Sequence, residues 1–295
     1  MRLALIGANG MLARAAKSAA QPGCDLFPFD LPEFDITDRN QVLETIAGLE
    51  PDVILNCAAF TNVDGCESEE ALATRVNGDG PGYLAAAAKE TGATLVHIST
   101  DYVFDGLKRE PYTEDDETHP RSAYGRTKLV GEQAILDSGL EKFFILRTSW
   151  LYGPGGKNFV ETIIRLARER EDLGIVADQI GTPTYTEDLA EAIFLLLALP
   201  HHSSPVTRHG LYGLYHFSNE GQCSWCEFAR EIVARMRERG DDLKVREIRA
   251  IKTEEYPLPA SRPAYSVFSK EKYKKATGAQ IPEWQESLGR YLERI

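Results

Sequence analysis

The feature that most constrains the fold is a rhythm. Short, continuously apolar runs alternate with helical stretches from the first residues to about Trp150. "RLALIG" leads into "NGMLARAAKSAA", "CDLFPFD" into "RNQVLETIAGLE", and "PDVILNCAA" into the long stretch around "EEALATRVNGDGPGYLAAAAKETG". "ATLVHIST" then leads into "AYGRTKLVGEQAILDSG", and "KFFILRTSW" closes the series. Strands separated by helices of about 10–15 residues pair in parallel through right-handed crossovers. Runs that lack polar alternation belong to strands covered on both faces. The pattern predicts a doubly wound α/β sheet.

Beyond Trp150 the rhythm loosens. "GPGGKNFVETIIRLARERE" reads as a loop and a helix, and "LGIVADQIGTPT" as a strand running into a proline turn. "TEDLAEAIFLLLAL" is so apolar that it is expected to pack back onto the sheet, around residues 184–199. A polar loop, "HHSSPVTRHG", a strand, "LYGLYHFSN", and a helix, "SWCEFAREIVARMRERG", follow, and an amphipathic helix, "PEWQESLGRYLERI", ends the chain. The expected organisation is a parallel sheet built by residues 1–152 and a smaller α/β lobe, mainly residues 153–295, closing over its carboxyl edge.

With 295 residues the chain can bury a sizeable core. Its 43% apolar and 26% charged content is that of a globular protein. A net charge of −12 and a pI of about 5.1 argue against duplex nucleic acid or an anionic membrane as partner. The acidic surface permits a protein partner, a second copy in a homodimer included, without demanding one. No apolar run approaches the roughly 18–20 residues that span a bilayer, and the N-terminal run is too short for a signal peptide. Five scattered cysteines point to reduced thiols and a cytoplasmic setting. "CSWC" at 223–226 has no second pair to complete a four-ligand set, so it is expected to open a helix. Ser224 would cap that helix, with Trp225 and Phe228 on its buried side.

"GANGMLA" starts at Gly7, directly after the first strand. A glycine turn there, through Gly7, Asn9 and Gly10, lets backbone N–H groups at a helix N-terminus approach a pyrophosphate. Ala13 stands where a third glycine is usual and is small enough for close helix–strand packing. Asp30, at the end of the second strand, is placed to accept from the adenosine ribose hydroxyls. Its charge disfavours a 2′-phosphate and leans toward NADH, while Arg14 beside the turn keeps NADPH open. Asp35 is either a contact to the adenine edge or a turn residue. "NCAAFTNVD" ends the third strand with Ala58, Ala59 and Thr61 at the sheet's carboxyl edge, and "HISTDYVFDG" presents Ser99, Thr100 and Asp101 at the same edge. His97 is expected to be a core strand residue.

In "SAYGRTKLVGEQ", Tyr124 precedes Lys128 by four residues. On a helix the two side chains share a face, with Cβ atoms about 5–6 Å apart. A free phenol, with a pKa near 10, is a sluggish acid at neutral pH. An adjacent ammonium lowers that value toward the range useful for general acid catalysis. Thr100 can hydrogen-bond the carbonyl oxygen on which negative charge develops. Beside a nicotinamide, these groups make a constellation for carbonyl reduction.

The glycine turn, "NCAAFTNVD", "STDYVFDG", "YGRTK", "RTSWLYG", "DQIGTPT" and "RPAYS" together resemble the extended short-chain dehydrogenase/reductases over nearly the whole chain. The likeness is strongest to the branch that reduces the C4 ketone of a dTDP-6-deoxy-hexulose to give dTDP-L-rhamnose. The resemblance implies a Rossmann-type sheet, proton donation by Tyr124 assisted by Lys128 and Thr100, and a dTDP-sugar substrate. It implies that Gly10, Met11, Leu12, Asp30, Asp35, Ile36, Ala59, Phe60 and Thr61 line the cofactor site, with Tyr124 and Lys128 reaching the nicotinamide end. Thr100, Asp101 and Trp150 would meet the sugar, and Asn158 and Arg262 the sugar–nucleotide phosphates, although Arg262 equally suits a surface ion pair. Cys57 and Phe60 depart from the usual alanine and tyrosine or histidine without removing a needed donor. Some members place a divalent metal using a carboxylate just after the glycine loop. That position is Ala15 here, so no metal is carried over and an interface metal is left open.

Two rival readings remain at this point. A 4,6-dehydratase would need a second carboxylate where Tyr102 stands, whereas a 4-epimerase shares the tyrosine and lysine. A non-catalytic NADP-binding regulatory subunit can retain both residues as well.

Overall fold

Six parallel strands form the centre of the molecule. The computed structural model describes residues 1–202 and 209–295, so most of the polar stretch "HHSSPVTRHG" lies outside the described residues. β1 (Arg2–Ile6), β2 (Asp25–Phe29), β3 (Val53–Asn56), β4 (Thr94–Thr100) and β5 (Phe143–Thr148) take the spatial order β5-β4-β3-β1-β2. The sixth strand, Gly213–His216, extends the sheet beyond β5, in register Gly213 with Phe144. The strand in "LYGLYHFSN" was therefore foreseen as a strand, but it completes the main sheet rather than the smaller lobe.

The apolar runs are explained by burial on both faces. Leu3, Leu5, Leu55, Phe144 and Leu146 point into one core with Leu12, Ala13 and Ala16 of α1 (Met11–Ala19). The helix Thr186–His202 covers the same face through Leu189, Ile193 and Leu196. Ala4, Ile6, Ile54, Leu95 and Ile145 face the opposite core, with Val42 and Ile46 of α2 (Arg39–Leu49), Leu84 and Ile135. Each fully buried leucine or isoleucine contributes about 1.5–3 kcal/mol, so the register is strongly specified. A third core lies among helices Phe159–Glu169, Trp225–Arg239 and Trp284–Leu292, through Ile163, Phe228, Ile232, Leu288 and Tyr291. Beside it, strands Asp172–Val176 and Glu247–Ile251 pair in parallel.

A strap, residues 260–269, ties this part to the sheet. Tyr265 N donates to Gly106 O and Tyr112 N to Val267 O, while Ser266 N donates to Ile180 O. Among the described residues no helix is long and apolar enough to cross a membrane.

Candidate active site

The glycine turn is built by close approach. Gly7 has φ +74°, and a Cβ there would lie 2.6 Å from Ala58 N and 2.7 Å from Ala58 Cα. Gly10 sits at the N-terminus of α1, which carries no side-chain cap and no acidic residue in its first turn. Such a helix end suits an anion, and the nearby sequence leaves its donors to a ligand. The residues present therefore fit a dinucleotide pyrophosphate, with Met11 and Leu12 opening the helix. Asp30 is at the end of β2 as expected, but both carboxylate oxygens are engaged: Oδ2 accepts from Asn9 N at 2.7 Å and Oδ1 from Leu31 N at 2.9 Å. It braces the turn while keeping lone pairs for a ribose. Arg14 Nε donates to Asn9 O at 3.1 Å.

Asp35 accepts from the backbone N–H and the hydroxyl of Thr37, which makes it a turn residue in this structure. The Ile36 side chain is buried in the core, so the adenine edge is open only to the backbone there. At the end of β3, Phe60 N donates to Asn77 Oδ1 at 2.8 Å, and Asn77 Nδ2 donates to Phe60 O and to Thr127 Oγ1. Asn77 lies in a π-helical turn, Arg75–Asp79, and joins the Ala58–Thr61 segment to the helix Ala123–Asp137. Ala58 and Ala59 are partly exposed and Thr61 is exposed at this edge.

The helix Ala123–Asp137 carries Tyr124 and Lys128 on one face, begun by Ser122, whose hydroxyl accepts from Gly125 N. Gly125 explains the second letter of "YGRTK": a Cβ there would lie 2.1 Å from Tyr102 O. Only glycine lets the helix start press onto the turn after β4. That turn begins with Thr100, which is buried, accepts from Tyr102 N and donates to Asp101 Oδ1 at 3.1 Å.

The electrostatics differ from the sequence expectation. Burial raises the Tyr124 phenol above its ordinary value, the Thr100 hydroxyl offsets part of the rise, and Asp101 adds to it. Lys128 has hydrogen-bond partners on β4. Its Nζ donates to Ile98 O at 2.6 Å and lies 3.4 Å from His97 Nε2. Burial pulls the lysine down to about 8, with Glu132 and Cys57 opposing. The same cause pushes Asp101 up to about 6, held back by Ser266 and Thr100.

On the other side of the edge, Trp150 follows β5 with φ +48°, an uncommon conformation for a bulky residue. Its indole stacks on Trp225 with ring centroids 3.4 Å apart and planes at 9°, and a Cβ at Gly181 would lie 2.5 Å from the Trp150 ring. Asn158 caps the helix Phe159–Glu169: Oδ1 accepts from Glu161 N, and Nδ2 donates to Gly153 O and Gly156 O. Its amide also approaches Met11 Sδ at 3.6 Å, which sets the loop over the start of α1. Arg262 forms a two-pronged pair with Asp64, NH2 to Oδ2 at 2.9 Å and NH1 to Oδ1 at 3.1 Å. It stands on the wall of a crevice of about 550 Å³ that Phe159, Arg170, Gln179, Trp225 and Tyr256 also line.

The whole chain, residues 1–295, matches the RmlD substrate binding domain family. The chain belongs to that family. It is 42% identical over 293 residues to a dTDP-4-dehydrorhamnose reductase of Sinorhizobium fredii, covering 99% of this chain and 97% of the relative. A dTDP-4-dehydrorhamnose reductase crystal structure from Clostridium acetobutylicum superposes with a TM-score of 0.90 at 42% identity, covering 100% of this chain and 99% of the other. One from Bacillus anthracis, in complex with NADP, gives 0.91 at 41% identity with the same coverage. The Rossmann-type sheet inferred from the sequence is the fold of this RmlD-family chain.

Four residues of this RmlD-family chain escaped the sequence reading as site neighbours. His97 reads as a core strand residue, yet its ring reaches Lys128 on one side and Asn56 on the other. Asn77 sits inside the helical stretch around "EEALATRVNGDGPGYLAAAAKETG", where nothing marks it as a site neighbour. Asp64, within the quoted "NCAAFTNVD", pairs with Arg262. Trp225 was placed on the buried side of its helix, and only tertiary structure reveals that it stacks on Trp150. "CSWC" opens that helix as expected, with reciprocal bonds between Ser224 and Glu227, and Cys223 and Cys226 are free thiols.

Proposed function

We propose that this chain reduces the C4 keto group of dTDP-4-dehydrorhamnose (dTDP-4-dehydro-6-deoxy-L-mannose) to give dTDP-L-rhamnose, with a nicotinamide cofactor and Tyr124 as proton donor. The observation that supports the reading is Thr100 at the end of β4 against Tyr124, with Lys128 of the same helix bonded to Ile98 O of β4, in a chain that aligns end to end with reductases of that activity. When bound, the reduced nicotinamide supplies the hydride.

The chain's own residues do the rest. Tyr124, kept protonated by burial, gives its phenolic proton to the alkoxide oxygen as charge develops there. Thr100 holds that oxygen, and Asp101 lies next to it at the sugar. Lys128 stabilises the phenolate left behind and holds the nicotinamide ribose. Gly7, Asn9, Gly10, Met11 and Leu12 receive the pyrophosphate, Asp30 the adenosine ribose, and the Asp35–Ile36 and Ala58–Thr61 backbone the adenine side. Residues 1–152 act mainly on the cofactor and residues 153–295 mainly on the substrate. Trp150, stacked on Trp225, borders the sugar. The crevice beside Trp225 takes the nucleoside diphosphate, its aromatic walls facing the base and Arg262 the phosphates. Asn158 supports this indirectly, through the loop it caps.

The Asp30 carboxylate favours NADH slightly and Arg14 admits NADPH, consistent with the NADP complex of the Bacillus anthracis relative. The cysteines, all free, suit a cytoplasmic setting, and a homodimer is the expected assembly.

The test is oxidation of NADH and NADPH in the presence of dTDP-4-dehydrorhamnose. Turnover is expected with both cofactors, and Tyr124→Phe should lower kcat by at least about 100-fold with cofactor affinity retained. Tight cofactor binding without turnover on that substrate overturns the reading.

A further inference from the structure

The catalytic lysine has a partner that the reaction scheme does not use. His97 is fully buried on β4, and its ring joins Asn56 on β3 to Lys128 on the facing helix. The direction of the hydrogen bonds along this chain can be worked out from one fixed point. Ala58 N–H can only donate, and it donates to Asn56 Oδ1 at 3.1 Å. The other end of the amide is therefore Nδ2, a donor, and it lies 3.0 Å from His97 Nδ1. Nδ1 must accept, so in a neutral ring the proton sits on Nε2. The ring is neutral, because burial holds its pKa well below the ordinary histidine value. Nε2–H then faces Lys128 Nζ at 3.4 Å, while Nζ donates to Ile98 O at 2.6 Å. A donor facing Nζ bonds well to an amine lone pair and poorly to an ammonium.

We propose that His97 is a positioning residue for Lys128: fixed by Asn56 as the Nε2–H tautomer, it docks the lysine on β4 and disfavours its ammonium form. The proposal rests on the reading of Lys128 as the catalytic lysine. Cys57, after β3, is itself pushed up to about 12 by burial. Glu132, one turn along the same helix, is bound by Arg147 of β5 at 2.6 Å, so its charge is already matched. Tyr124, one turn before, has its proton held by burial. Glu132 and Cys57 raise the proton affinity of Nζ, and burial more than offsets them. Lys128 leaves the dock for a better partner, the phenolate or the nicotinamide ribose.

Ring-nitrogen 15N spectra of histidine-labelled protein test this directly, with the His97 signals assigned through His97→Gln. The expected result is a bare Nδ1 and a protonated Nε2 throughout the neutral range. Asn56→Asp keeps an acceptor for Ala58 N–H but replaces the donating amide by a second acceptor. It should move the ring proton to Nδ1, leave Nε2 free to accept from an ammonium, and raise the proton affinity of Lys128 on the order of tenfold. The limb of the kcat–pH profile that Lys128 controls should move up by about one pH unit. A wild-type ring protonated on Nδ1 overturns the proposal, and so does Asn56→Asp that folds yet leaves tautomer and profile unchanged. If Asn56→Asp does not fold, the wild-type spectrum decides alone. The spectrum needs no turnover, so its failure is distinguishable from failure of the proposed reaction.

Discussion

Gly7 is the residue whose replacement should be least tolerated. At φ +74° any side chain is strained, and its Cβ would collide with the Ala58 backbone rather than with a movable side chain. Gly7→Ala should cost more than about 2 kcal/mol and abolish cofactor binding, as read from denaturant unfolding and nucleotide titration. Asp101 makes a different prediction. Its folded value of about 6 lies above the ordinary 3.8, so between these pH values the folded chain holds a proton that the unfolded chain releases. The stability this contributes is fully present below about pH 4 and is lost as the pH rises through 6. Asp101→Asn removes that loss and should gain on the order of 2 kcal/mol over wild type above pH 6. Melting temperatures across pH 4–7 give the answer, and parallel curves for the two proteins would contradict it.

At the scale of elements, the helix Trp225–Arg239 is the one whose start matters most to the site. Ser224 N and Oγ both donate to Glu227 Oε2, and Glu227 N donates to Ser224 Oγ. Ser224→Ala should cost about 1 kcal/mol, measured by denaturant unfolding. It should also loosen the Trp150–Trp225 stack, visible as a change in near-ultraviolet circular dichroism. The elements show where sequence reading succeeds. β1, β3, β4 and β5 were legible because burial on both faces leaves an unbroken apolar run. The strand Glu247–Ile251 was not, because it is only partly covered and Arg249 pairs with Asp172 in solvent, so no apolar signal exists. That Tyr124 and Lys128 share a helix face was legible from their spacing. The lysine's dock was not, because Asn56 and His97 carry no pattern that separates a hydrogen-bonded strand residue from a packed one. The rise in the Tyr124 pKa was missed because spacing along a helix reveals neighbours but not desolvation.

For the molecule as a whole, the Asp64–Arg262 pair is the polar join between the sheet and the substrate side, reinforced by Ala260 N donating to Asp64 Oδ1 at 3.1 Å. A double-mutant cycle of Asp64→Asn with Arg262→Gln should return a coupling of about 0.5–1 kcal/mol. Arg262→Gln alone should raise KM for the dTDP-sugar more than it lowers kcat, if the guanidinium has the role proposed for it at the phosphates rather than at the ketone. The chain also crosses between its two parts more than once. It leaves the sheet after β5, returns as the helix Thr186–His202 against α1 and as the strand Gly213–His216 beside β5, and returns again through the strap. The consequence is practical for anyone dissecting the gene. A fragment ending at residue 152 would carry every residue of the glycine turn and of "YGRTK". It would nevertheless expose β5 as a bare apolar edge and uncover Leu12 and Ala16, so it should be recovered as aggregate. Supplying residues 153–295 in trans, as a split protein, should restore solubility.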